Sequence, residues 1–167
     1  PATRAWLIAV IDVATRVIIG YSVSPYENYN QSDVLMAVHN SIVPHEKMEF
    51  THKSFEYPQT GGYPSLAIPE TEGATFDMIM LDNAKSHLAT NTVDKLLNNV
   101  KCTVNFGSVA TPETRGIVER FFKTLEIGGF HRLPSTTGSN IRDNKRNEPE
   151  RDSVKYHITY NDICELL

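Results

Sequence analysis

The chain has 167 residues, is 40% hydrophobic and carries a formal net charge of −4, from 16 Lys and Arg against 20 Asp and Glu. That length suits one domain with its own core rather than two. No apolar run approaches a membrane span and no signal-like leader opens the chain, so a cytoplasmic protein is expected. The acidic balance argues against a dedicated nucleic-acid-binding domain, whose grip rests on Lys and Arg, but it is compatible with a catalytic core built on acids.

In chain order, "RAWLIAVID" and "RVIIGYSVS" are β-rich apolar runs joined by "VAT", which predicts an antiparallel hairpin over residues 5–24. "SDVLMAVHNSIVP" predicts a helix with Ser32 as N-cap, an apolar face of Val34, Leu35, Val38 and Ile42, and Pro44 as its stop. Residues 45–75, punctuated by Pro and Gly, predict a long excursion with at most a short strand. "FDMIML" reads as a buried strand. "SHLATNTVDKLLNNV" reads as an amphipathic helix with Leu88, Val93, Leu96, Leu97 and Val100 on its apolar side.

"KCTVNF" alternates, with Cys102, Val104 and Phe106 on one face and Lys101, Thr103 and Asn105 on the other, as a half-buried strand does. A further helix opens at Thr111-Pro112 and is carried by Ile117, Val118, Phe121, Phe122 and Leu125. Residues 127–157 have the Gly, Ser, Asn and charge content of a loop or linker, and "YNDICELL" starts another helical segment. The two cysteines, Cys102 and Cys164, lack zinc or disulfide spacing and read as core thiols. No His pair has H-x-x-x-H spacing, so a histidine metal site is not expected.

Hairpin, helix, strand, helix, strand, helix predicts an α/β fold: a mixed sheet, parallel in part, with helices on its faces. Ligands of such sheets gather at the carboxyl ends of the parallel strands, and Asp82-Asn83 follows one of these ends. Asp82 is either a turn or cap residue or a metal ligand. Glu119 borders the apolar stripe of its helix, with Arg115 and Lys123 one turn to either side. It is either part of an i, i+4 salt-bridge ladder or the second carboxylate of a site.

"LDNAKSH", "TPETRGIVERFFKTLE" and, upstream, "IDVATRVIIGYSVS" together resemble the catalytic core of the DDE transposase and retroviral integrase superfamily, with phage Mu and TnsB-type bacterial transposases the nearest in flavour. The resemblance covers roughly residues 4–126. It implies a ribonuclease H-like fold for residues 1–126, followed by a linker and the start of a helical segment over 127–167. It also implies a triad of two aspartates and a glutamate holding two Mg²⁺ or Mn²⁺ ions, here with Asp82 and Glu119 as metal-binding catalytic residues. The implied activity is metal-dependent cleavage of transposon ends and their transfer into target DNA, by a polynucleotidyl transferase working in a multi-subunit complex with DNA and no membrane. Hard oxygen ligands suit Mg²⁺. Two such ions roughly 4 Å apart serve in-line displacement at phosphorus.

In the family the hairpin matched by "IDVATRVIIGY" follows the strand that bears the first catalytic aspartate. Asp12 is therefore read as a turn residue bonding backbone N–H groups or Arg16, with first catalytic acid as its runner-up role. The first strand is accordingly expected to be missing from the chain as given, which would leave it inactive by itself. Lys85, Arg115 and Lys123 are candidate DNA contacts because they lie near the acids in sequence, although each equally suits a solvated surface. Alternatives are a ribonuclease H-like structure-specific nuclease and a degenerate transposase domain acting in DNA binding or assembly.

Overall fold

A computed structural model describes residues 5–53, 55–57, 59, 62–81, 89–106, 112–128 and 159–167. The hairpin is formed by β1 (Trp6–Ile11) and β2 (Ile18–Ser24), paired antiparallel from Trp6↔Ser24 to Val10↔Gly20, with a register break between Val10 and Ile11. Its turn is closed at both ends by the backbone, Asp12 N–H donating to Val17 O and Arg16 N–H to Asp12 O, each at 2.9 Å. Arg16 sits in the left-handed region at φ 68°.

Helix α1 (Gln31–Asn40) starts one residue before the expected cap. Asn30, not Ser32, is the N-cap: its side chain accepts from Ser32 N–H at 2.7 Å, and the Asp33 carboxylate accepts from Asn30 N–H at 2.8 Å. That reciprocal box satisfies helix-end donors that Ser32 has no acidic residue three positions on to help with. Pro44 is not the stop either; the helix ends at Asn40 with Ser41 as C-cap.

The small side chains of β2 let α1 approach. Gly20, Ser22 and Ser24 are buried while Tyr21 and Val23 between them are partly exposed. Ser22 Oγ donates to Asp33 O at 2.7 Å, and Asn40 Nδ2 donates to Tyr21 O at 2.9 Å. A Cβ on Gly20 would lie 2.5 Å from the Ser41 backbone nitrogen.

Among the described residues the excursion holds no strand but a helical turn α2 (Pro64–Ala67) and a 3₁₀ turn at Pro69–Thr71. Then come β3 (Met78–Met80), helix α3 (Ala89–Lys95) continued by a π turn at Leu96–Val100, and β4 (Thr103–Asn105). Lys101 ends the π turn in the left-handed conformation at φ 62°. β3 and β4 are parallel, in register Met78↔Thr103, Ile79↔Val104 and Met80↔Asn105. Helix α4 spans Pro112–Gly128, and α5 spans Tyr160–Leu166. Most of the linker-like stretch, 129–158, lies outside the described residues.

The fold is thus mixed α/β, with the parallel portion that the order of elements predicts. Instead of one mixed sheet, however, the described strands form two pairs, β1-β2 and β3-β4. One core serves both. Val38 of α1, Ile79 of β3, Leu96 and Cys102 form the buried cluster, and Val10 of β1, Ile42, Phe76, Leu81, Val100 and Val104 pack against it. Cys102, Val104 and Phe106 do alternate inward while Lys101, Thr103 and Asn105 stay exposed. Both cysteines are free.

Candidate functional site

The parallel pair delivers the chain to the candidate site. Leu81 N–H donates to Asn105 O at 2.9 Å, extending the ladder by one bond past Met80. Leu81 packs against the core, so its anchored position sets where the next residue begins. That next residue is Asp82. It lies outside the described residues with Asn83, Lys85 and the rest of 82–88.

Glu119 lies in the middle of α4 and is exposed. Ile117, Phe121, Phe122 and Leu125 on the apolar stripe are partly buried, and the rings of Phe121 and Phe122 meet at 5.2 Å. Among the described residues Glu119 makes no ion pair, so the ladder to Lys123, itself exposed, is not formed. The Arg115 side chain is outside the described residues. A carboxylate turned to solvent without a described cationic partner has the donor chemistry a hard divalent cation prefers.

Asp12 is occupied within its own turn. Its Oδ2 accepts from Thr15 N–H at 2.8 Å and also from the Thr15 hydroxyl. Those bonds, the hydroxyl's first, hold its carboxyl below the usual carboxylate range, with Arg16 adding a smaller push in the same direction. Hydrogen bonds to the ionised form have this effect. Arg16 acts here through its charge.

Two clusters away from these acids escaped sequence reasoning. In one, the His45 ring stacks on Tyr63 at 3.9 Å, Tyr63 OH donates to Tyr21 OH at 3.1 Å, and burial raises both phenols' pKa. In the other, the α5 acids Asp162 and Glu165 grip residues 51–52. The second left one local sign, Thr159-x-x-Asp162, a capping box that the structure forms at the start of α5.

The chain belongs to the TnsB C-terminal domain family, which matches residues 1–135. It is therefore a transposase-family chain. It is also 23% identical over 137 residues to the transposase for transposon Tn552 of Staphylococcus aureus, an alignment covering 82% of this chain and 24% of that protein. The chain thus spans about a quarter of the length of this curated relative. No solved structure matches it. No helix among the described residues is long and apolar enough to cross a membrane.

Proposed function

We propose that this chain is part of the catalytic core of a DNA transposase, a Mg²⁺- or Mn²⁺-dependent polynucleotidyl transferase that cleaves transposon ends and joins them to target DNA. The observation that carries the reading is the parallel β3-β4 pair in a transposase-family chain. The carboxyl end of β3 leads towards Asp82, and α4, the helix that follows β4, presents an exposed Glu119. Parallel strands collect ligands at that end.

Asp82 and Glu119 would hold the cations. Bound there, the ions supply positive charge to the phosphate oxygens and lower the pKa of a coordinated water or DNA hydroxyl. The chain's own part is to fix the two carboxylates. β3, held at Leu81 by its bond to Asn105, leads towards one, and the apolar stripe of α4 would orient the other. Cations bound there would offset the repulsion between carboxylates brought close together. Lys123, exposed one turn beyond Glu119, would meet a phosphate, and Lys85 and Arg115, near the acids in sequence, are proposed for the same task. The ribonuclease H-like arrangement belongs to this reading, as does assembly of several copies on the DNA.

A second reading, a domain that binds DNA or assembles the complex without catalysing, draws on the exposed, unpaired state of Glu119 among the described residues. Joining of a transposon-end duplex to target DNA, assayed on the longest polypeptide containing this chain, separates the two. Asp82→Asn and Glu119→Gln are expected to lower joining by at least ~100-fold each with DNA binding kept. Joining at the unsubstituted rate would leave the assembly reading.

A further inference from the structure

Helix α5 holds the rest of the fold by a small set of polar contacts, all made far along the chain. Glu165 is 6% exposed and uses both carboxylate oxygens on consecutive amides, accepting from Thr51 N–H at 2.9 Å and His52 N–H at 3.2 Å. Asn161 steadies it from one turn earlier, donating to Glu165 at 2.7 Å and to Thr51 Oγ1 at 3.3 Å. One turn away on the same face, Asp162 Oδ1 lies 2.8 Å from His52 Nε2. At the start of the helix, Tyr160 OH donates to Val23 O on β2 at 2.9 Å.

A seven-residue helix has no stability of its own in water, so α5 is formed and held by these contacts or not at all. Its docked position also lines one side of an open pocket of about 240 Å³, where Tyr160 and Cys164 join Tyr21, Tyr63, His45 and Met36. The groups that join helix to loop are ionisable. Among the described residues the charges acting on His52 are Asp162 and Glu165, both on α5, and the Phe55 ring lies 5.5 Å from its imidazole.

We propose that α5 is a proton-sensitive latch over the 51–52 loop and the pocket beside it, tightest when His52 is charged and both α5 acids are ionised. The bond to Asp162 raises the His52 pKa above its ordinary value. Its contribution is complete below the imidazole's unfolded pKa and is lost as pH rises through the raised value. Asp162 is held low by the Thr159 amide first and His52 second, and Glu165 by its bonds to Thr51 first. Their contribution is complete above the unfolded carboxylate range and is lost as pH falls through the lowered values. The latch is therefore closed in a mildly acidic window bounded by the carboxylates below and His52 above.

The Thr51 and His52 amides report the latch directly, since Glu165 is their acceptor. Hydrogen exchange at these two amides, corrected for intrinsic rates and followed by NMR from about pH 5 to about pH 8.5, is the test. Hairpin amides of β1 and β2 serve as the reference for the fold. Protection at 51–52 is expected to fall several-fold on the alkaline side while the hairpin stays constant. His52→Gln is expected to abolish that alkaline fall, and Glu165→Ala, which removes both acceptor oxygens, to remove protection at every pH. If His52→Gln also loosens the hairpin, Asp162→Asn must remove the alkaline fall in its place. Protection that is flat with pH in the unsubstituted chain, or an alkaline fall that survives these variants, overturns the proposal.

Discussion

Asp12 and Thr15 close the first turn by a bond pattern that leaves the acid little else to do. Oδ2 already serves the Thr15 amide and hydroxyl, and Asp12's own N–H and C=O are both used in the turn. Removing the carboxylate with Asp12→Ala is expected to destabilise the fold by about 1 kcal/mol, seen as a lower urea midpoint at unchanged slope. Asp12→Asn keeps an acceptor oxygen and should cost less. The stabilisation from Asp12 holds above the ordinary carboxylate range and fades as pH falls through its lowered pKa. The turn role was legible from the place of this hairpin in the family the chain resembles, with backbone N–H groups or Arg16 as partners; the bond from the Thr15 hydroxyl was not. Nor was the left-handed Arg16, since nothing in its side chain favours positive φ.

At the scale of elements, β2 and α1 show where sequence periodicity informs and where it stops. Alternation in "IIGYSVS" marks a strand, and the structure confirms it. Yet the face it buries is Gly20, Ser22 and Ser24, not the large aliphatics that patterning leads one to place inward. The reason is steric: α1 crosses so closely that Gly20 has no space for a methyl group. Gly20→Ala is accordingly expected to cost about 3 kcal/mol, because the clash is with the Ser41 backbone, which cannot rotate away. A thermal melt checks this, and an unchanged midpoint would mean that α1 does not sit so close.

The cap of α1 was readable in principle. Asn30 has Asp33 three residues on, whereas Ser32 has Leu35, and a box needs both partners. The α2 turn, at four residues, is too short to leave a period. The hold of α5 on residues 51 and 52 spans more than 100 positions and no local rule reaches it.

Over the whole molecule, two strand pairs share one core without a backbone bond between them among the described residues. Val10 from β1 and Ile79 from β3 pack on the same cluster, so among the described residues side-chain packing joins the pairs. β1 and β3 each keep one edge without a strand partner among the described residues, the kind of edge that invites pairing. The class of fold and its parallel half were legible because the sequence alternates strand and helix patterns. The division into two pairs was not, because period fixes which elements form and not which edges meet.

The account turns on whether Asp82 and Glu119 serve one cation site. Mn²⁺ broadens NMR signals near where it binds, so a titration of the chain read at the amides of 82–84 and 118–120 asks this directly. The account predicts that both groups broaden together at the same low Mn²⁺ concentration and that Asp82→Asn abolishes the effect at both. Broadening at one group alone, or persistence at Glu119 after Asp82→Asn, would contradict it.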